Sequence, residues 1–310
     1  MAVGLSPPKN IVPVRGVQLA TAAAGIKGSQ QSDLVLIQFD PGTVCTGVFT
    51  RNVFCAAPVS IAKMHLQKAE TRALLINSGN ANAGTGDRGL ADADHCCALL
   101  ADAIGLSTEQ VLPFSTGVIG EYLPMDRIAS AIRLLPGGLT EDAWPRAAAA
   151  IMTTDTVAKA CSRSLSIGGS NITITGIAKG AGMIRPDMAT MLAFIATDAS
   201  ASPDWLQQCL VSAVDASFNC ITVDGDTSTN DACVLAATGS SGSRILAGGD
   251  NDSRLMQQAV NEVCLQLAQS IVRDGEGATK FVTVRVESAA SIEEARNVAY
   301  TLSLIHISEP

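Results

Sequence analysis

Histidine is almost missing from this sequence: three occur in 310 residues, His65, His95 and His306. None stands in a context that marks a catalytic base, so a Ser-His-Asp or Cys-His system has little support. Zinc-binding patterns are missing too. The nine cysteines form no Cys-x-x-Cys pair, are odd in number and sit among Ala, Val and Leu. They read as small buried hydrophobes in a reducing cytosol, so a cytoplasmic location is expected. The acidic run Asp224–Asp231 lacks the downstream Glu of a calcium loop, which leaves no metal expectation. Charge is sparse, at 16% of residues, and the net charge of −8 argues against a nucleic-acid binder. No stretch reaches the ~18 apolar residues of a membrane helix, and Met1–Val14 has no apolar signal core. No membrane association and no export are therefore expected.

What the sequence does have is a high apolar fraction, 47%, which makes it globular; its length suggests two domains. Strands are expected over Gly16–Ala24, Asp33–Asp40, Arg72–Asn77, Met191–Thr197 and Phe281–Glu287. Ser164–Thr175 reads as a hairpin around Gly168-Gly169. Helices are expected over Asp87–Ile104 with Gly105 as stop, Asp126–Leu135, Thr140–Met152, from Ser202-Pro203 onward, Ser253–Val272 and Ser291–Tyr300. The mixed order with hairpins favours an α+β fold or layered sheets over regular βαβ winding. The run Asn77–Gly86 before a helix is either an anion site or a structural turn, and the structural turn is preferred.

The most unusual segment is Gly176–Leu192. It is rich in Gly, carries Lys179, and ends in Ala189-Thr190 at the head of an apolar strand. A threonine hydroxyl in such a place can attack the preceding carbonyl. Hydrolysis of the resulting ester leaves Thr190 as a new N-terminus, and its α-amine can then serve as the base that histidine supplies elsewhere. A structural or phosphate-cradling loop is the competing reading, although Gly-Lys-Ser/Thr is absent and this is no Walker loop. Taken alone, Ser115–Gly117 reads as a loop after Pro113, Thr153 as helix-end polarity, Lys179 as a solvated loop charge and Glu276 as an exposed residue after a helix.

Ala178–Met183 together with Met188–Leu192 resembles the processing and active-site motif of the bifunctional glutamate/ornithine N-acetyltransferases of arginine biosynthesis, the ArgJ family. The likeness extends from about Gly16 to about Tyr300. It includes Asn77–Asn82, Ser115–Gly120, Ile151–Thr156 and Asp224–Asn230, in family order. It implies an α+β fold, a layered αββα sandwich of the self-processing DmpA/ArgJ-like type. It also implies cleavage between Ala189 and Thr190 into an α chain, 1–189, and a β chain, 190–301, that stay together as an α2β2 heterotetramer.

In the implied reaction Thr190 takes the acetyl group of N-acetylornithine and passes it to glutamate. Thr116 and Gly117 match the oxyanion hole, and Thr153, Lys179, Thr190 and Glu276 the substrate-binding positions. By charge, Lys179 suits the substrate α-carboxylate and Glu276 its ammonium group. No cofactor is implied; acetyl-CoA is a further acetyl donor in some members. The family continues beyond the point where this sequence stops resembling it, with an Asn and a Thr substrate contact that lack counterparts here. Residues 302–310 are expected to be a non-native tail, after a C-terminal α/β domain that is incomplete. Two other readings stand beside the transferase: a related self-processing aminopeptidase that releases its acyl group to water, and an inactive fragment.

Overall fold

The computed structural model describes residues 2–28, 31–185 and 191–303. Among the described residues nine strands form two sheets. In the first, β1 (Val17–Ala22), β2 (Leu34–Phe39), β4 (Ala73–Asn80) and β5 (Val111–Val118) lie in that order. In the second the order is β3 (Val44–Phe49), β9 (Ala232–Ala237), β8 (Leu192–Thr197), β7 (Ser170–Lys179) and β6 (Lys159–Ile167). Among the described strands only the pairs β4–β5 and β8–β9 are parallel. A parallel pair needs a crossover, and each has a helix: α2 (Gly86–Ile104) joins β4 to β5, and α5 (Pro203–Asp215) joins β8 to β9.

The layering follows from side chains alternating along the strands. Val35, Ile37, Leu74, Ile76 and Phe114 of the first sheet meet Ile177, Leu192, Phe194 and Val234 of the second in a dry core between the sheets. Phe114 and Phe194 meet edge to face across it, with centroids 5.0 Å apart. The opposite face of the first sheet, through Leu34, Leu36, Leu75 and Val111, packs on α2 and α3 (Met125–Ile132). The outer face of the second, through Ile172, Ile174, Ile195 and Leu235, packs on α5 and α6 (Asn251–Arg273). The result is the expected αββα sandwich. Six cysteines are buried within its cores as expected, Cys96 and Cys97 under α2 and Cys161, Cys209, Cys233 and Cys264 around the second sheet.

Local chemistry sets several boundaries. Gly105 ends α2 with φ 70°, and Gly168 and Gly169, at φ 56° and 82°, make the two-residue turn of the β6–β7 hairpin. Pro203 opens α5, and Asp250 caps α6 by accepting from the Ser253 N–H. The helix expected over Thr140–Met152 is shorter, α4 (Trp144–Ala150), because Pro145 suits only a first turn. The helix expected to reach Leu135 ends at Ile132. Four elements were not anticipated: β3, β5, β9 and α1 (Ala57–Lys68).

Two expectations fail. Phe281–Glu287 is no strand, despite its alternation; it pairs with no sheet edge and lies along α6, where Arg273 stacks on Phe281 at 4.0 Å. Nor does the chain form two separate domains. The intersheet core draws buried residues from Val14 to Ala236, on both sides of residue 189, and the second sheet takes β3, β6 and β7 from before that residue and β8 and β9 from after it. The last helix, α7 (Ile292–Ser303), includes the first two residues of the expected tail; the rest of that tail lies outside the described residues.

Candidate active site

The two sheets open at one end into a cleft of about 730 Å³. Strand β5 brings Thr116 and Gly117 to its wall, β7 brings Lys179, and loops bring Thr153, Asn230 and Glu276. Five of the residues singled out from sequence therefore share one cavity: Thr116, Gly117, Thr153, Lys179 and Glu276. The other two, Ala189 and Thr190, lie outside the described residues. The chain re-enters at Met191, whose carbonyl accepts from the Ala232 N–H (3.1 Å), and Leu192 pairs with Lys179 across β7–β8. The head of β8 thus stands at the level of the cleft.

Gly117 has to be glycine. Its φ is 134°, and an added Cβ would stand 2.2 Å from the carbonyl carbon of Gly79. The parallel β4–β5 ladder is irregular there, shifting register at Gly79 and Asn80. Side chains of the preceding run hold this distortion. Asn77 donates to the Asn80 carbonyl and accepts from the Ser115 hydroxyl, and Asn80 donates to the carbonyls of Glu121 and Tyr122. Asn82 donates to Gly89. These bonds support the structural reading of Asn77–Gly86. Asn230 then ties the two sheets by donating to the carbonyls of Ala81 (2.7 Å) and Ser115 (2.9 Å).

Lys179 is buried rather than solvated, and its ammonium donates to the Thr116 hydroxyl at 3.0 Å. Burial pushes its pKa down, and Asp155 and Asp231 push it back part of the way. Beneath it lies a network the sequence did not reveal. Lys159, fully buried at the start of β6, bridges Asp155 (2.6 Å) and Asp274 (2.7 Å). Asp155 also accepts from the N–H groups of Gly180 (2.7 Å) and Thr153 (3.0 Å), and Asp274 from Thr156 (2.9 Å) and Val157 (3.2 Å). Burial alone would raise the Asp155 pKa; the neighbouring Lys179 and Lys159 charges outweigh it and hold the carboxyl below the ordinary range. Asp274 is lowered as well, with Lys159 and Thr156 overcoming burial.

The segment entering the expected cleavage site is fastened almost peptide by peptide. The Ala181 carbonyl accepts from the Glu276 N–H at 2.7 Å, and Gly182 leaves room for the Glu276 carboxylate, which a Cβ would meet at 2.6 Å. Met183, at φ 58°, and Ile184 both donate to the Asp224 carboxylate, the second at 2.8 Å. The Ile184 carbonyl accepts from Val223 and Thr222. The role of Asp224 is thus to pin this loop. Asp155, Asp224 and Asn230 all fall within runs that carried the family likeness, but a lone Asp or Asn gives no sign of which backbone groups it will meet. His65 is a core histidine: Nδ1 bonds the Val111 carbonyl at 2.8 Å, and Nε2 faces Asp94. No helix among the described residues is long and apolar enough to cross a membrane.

Comparison with known proteins points to one family. The sequence pattern of the ArgJ family matches residues 18–305. The chain is 54% identical over 293 residues to the arginine biosynthesis bifunctional protein ArgJ of Methylococcus capsulatus, covering 94% of this chain and 72% of that protein. It is 52% identical over 305 residues to the protein of that name from Pseudomonas fluorescens, covering 98% and 75%. Among solved structures it resembles an ornithine acetyltransferase of Mycobacterium tuberculosis complexed with ornithine, with TM-score 0.50 and 34% identity over 57% of this chain and 93% of that one. A likeness in fold alone extends to an aminopeptidase of Ochrobactrum anthropi described as a variant of the Ntn hydrolase fold, at TM-score 0.50 and 12% identity over 87% and 89% of the two chains. With the family pattern spanning nearly its whole length, the chain belongs to the ArgJ family.

Proposed function

We propose that the protein is a self-processing acetyltransferase of arginine biosynthesis that moves an acetyl group from N-acetylornithine to glutamate. The observation that carries this reading is the meeting of Thr116, Gly117, Thr153, Lys179 and Glu276 in one cleft at the head of β8. Processing begins when the Thr190 hydroxyl attacks the Ala189 carbonyl carbon. The peptide C–N bond breaks as the ester forms, and water then cleaves the ester, leaving a carboxylate on Ala189 and a free amine on Thr190. A further support is that the Mycobacterium tuberculosis chain is matched over nearly its whole length by little more than half of this one, as a processed polypeptide would be.

In transfer, the Thr190 hydroxyl adds to the acetyl carbonyl while its α-amine accepts the proton. The amide bond breaks, the proton goes to the departing ornithine nitrogen, and an acetyl ester remains. The glutamate amine attacks that ester, and N-acetylglutamate leaves as the hydroxyl is restored. Each addition creates an oxyanion. Thr116 and Gly117 are assigned to it, and preorganised donors of this kind contribute about 3–4 kcal/mol each. The Lys179 ammonium, bonded to the Thr116 hydroxyl, keeps that side chain in one rotamer and adds positive potential beside the reacting carbonyl. Glu276 faces the substrate ammonium. Both pieces remain in one sandwich because the second sheet is built across the cut. The α2β2 assembly and the cytosolic location belong to this proposal, as does acetyl-CoA as an additional substrate; no cofactor takes part.

Intact-mass measurement of wild type and Thr190→Ala tests the chemistry. Two pieces meeting at Ala189/Thr190 in the wild type, one uncut chain in the variant, and glutamate-dependent formation of N-acetylglutamate are expected. Release of acetate at the same rate with and without glutamate would instead identify a hydrolase, and an uncut wild type that transfers acetyl groups would end the proposal.

A further inference from the structure

The cleft holds a second cation that the reaction as described leaves unused. Lys27 lines the same cavity as Lys179, Thr116 and Glu276. Its placement is built rather than incidental. The Lys27 N–H donates to the buried Asp33 carboxylate (3.2 Å), which also accepts from Ala24 and Ile26 at 2.6 Å each, so the turn carrying Lys27 is fixed from beneath. Gly79, at φ 103°, gives the aliphatic stem its path: a Cβ there would lie 2.9 Å from the Ile26 Cγ2 and 3.1 Å from the Lys27 Cγ. The ammonium donates one of its three protons to the Ala150 carbonyl at 3.0 Å.

Among the described residues no carboxylate comes within ion-pair distance of Lys27. Asp33 and Asp155 act on it only at range, and their own oxygens are taken by backbone N–H groups and Lys159. Burial lowers the pKa of Lys27, and so does the positive charge of Lys179 nearby. A buried cation and a half-buried one facing the same cavity is a costly arrangement unless anions enter between them. Among the described residues, the ionisable groups lining the cleft are Lys27, Lys179, Glu276 and, at the exposed rim, Asp226. Two cations and the inner acid Glu276 mirror a dicarboxylic amino acid, with two carboxylates and one ammonium. They do not mirror ornithine, which has one carboxylate.

From this we infer that Lys27 is the second carboxylate anchor of the cleft, the residue that selects an amino acid with an acidic side chain as acetyl acceptor. The inference rests on the proposed transfer to glutamate. Its mechanism is direct: one carboxylate of the acceptor is met by Lys179 and the other by Lys27, so the amine between them is held facing the acetyl ester. An acceptor with an apolar side chain leaves the Lys27 ammonium without an anion.

Calorimetric binding to the full chain, using L-glutamate, L-norvaline and L-ornithine, tests this without requiring turnover. Norvaline replaces the side-chain carboxylate of glutamate with a methyl group. The wild type is expected to prefer glutamate over norvaline. Lys27→Met should weaken glutamate by roughly 10- to 100-fold, the loss of one charge-assisted hydrogen bond, while norvaline and ornithine stay within about twofold. Lys27→Arg should keep most of the preference, which shows that loss in the methionine variant is not misfolding. A preference for glutamate that survives Lys27→Met overturns the inference, as does parallel weakening of all three ligands or a wild type with no preference. Acetyl transfer from N-acetylornithine, assayed on the same samples, judges the proposed reaction separately: a dicarboxylate preference without transfer removes the reaction and leaves the anchor.

Discussion

Replacing Lys159 with methionine removes the cation that Asp155 and Asp274 share, and leaves two carboxylates facing each other with almost no solvent. Breaking a buried pair from one side costs about 3–5 kcal/mol, because the remaining charge has lost its partner but not its burial. At ~2.1 cal/mol/K of unfolding entropy per residue, a chain of this size loses about 5–8 °C of Tm. The same arithmetic predicts recovery. Neutralising both acids together, as Lys159→Met with Asp155→Asn and Asp274→Asn, replaces an ionic cluster by uncharged groups and should restore most of that loss. The pH dependence has a definite sign. Both carboxyls are held below their ordinary value of 3.8, so the stability they confer is complete above that value and disappears as pH falls through their lowered pKa values. The wild type minus Lys159→Met difference should therefore be full at pH 7 and should collapse in acid. Thermal unfolding followed by circular dichroism at several pH values measures all of this. A loss under about 1 kcal/mol at pH 7, or a triple variant no more stable than the single one, would refute the assignment of this network as a buried electrostatic brace.

Two further substitutions probe the cleft itself. Gly117→Ala places a methyl group 2.2 Å from the Gly79 carbonyl carbon at a φ that side chains avoid; overpacking and strain of about 2–5 kcal/mol together should lower the Tm by several degrees and slow both self-cleavage and transfer, measured by calorimetry and by densitometry of the two fragments. Asp224→Ala removes the acceptor for the Met183 and Ile184 N–H groups but lies outside the proposed chemistry; it should slow the appearance of the two fragments at least tenfold, while material already cleaved keeps a Tm within a few degrees of wild type.

How much of this could be read beforehand depended on the kind of signal. Helices with a clear apolar face or a glycine stop, such as α2 and α6, emerged nearly at their true bounds; the Gly168-Gly169 turn was placed, but the hairpin strands run on to Lys159 and Lys179, beyond the expected Ser164–Thr175. Strand β9 was missed because Ala232–Ala237 is buried on both faces and shows no alternation. Strand β5 was missed because Pro113 and Gly117 look like loop residues; a sheet tolerates them here because β5 is the edge of its sheet. Phe281–Glu287 erred the other way, since alternation alone cannot supply a partner strand. The cleft residues were identified by resemblance: the residues alone made Lys179 a surface charge and Thr116 part of a loop.

The part that stayed hidden has a common cause. Lys159, Asp274, Asp224 and Lys27 gain their meaning from groups 40 to 123 positions away: Lys159 meets Asp274 across 115 residues, Ile184 meets Asp224 across 40, and Lys27 meets Ala150 across 123. Local patterning cannot encode such pairs, and a single charged side chain in a Gly-rich stretch has many solvated alternatives. Once the two sheets stack, however, three acidic residues, Asp155, Glu276 and Asp224, converge on the loop from Gly180 to Ile184. Asp155 takes its first N–H, Glu276 its Ala181 carbonyl, and Asp224 its last two N–H groups. A loop fixed that firmly by the body of the protein has little freedom to lose when the bond it leads to is attacked. In the proposed processing, that is the condition under which Thr190, with no histidine to help it, reaches the carbonyl of the preceding Ala189 often enough to cut the bond between them.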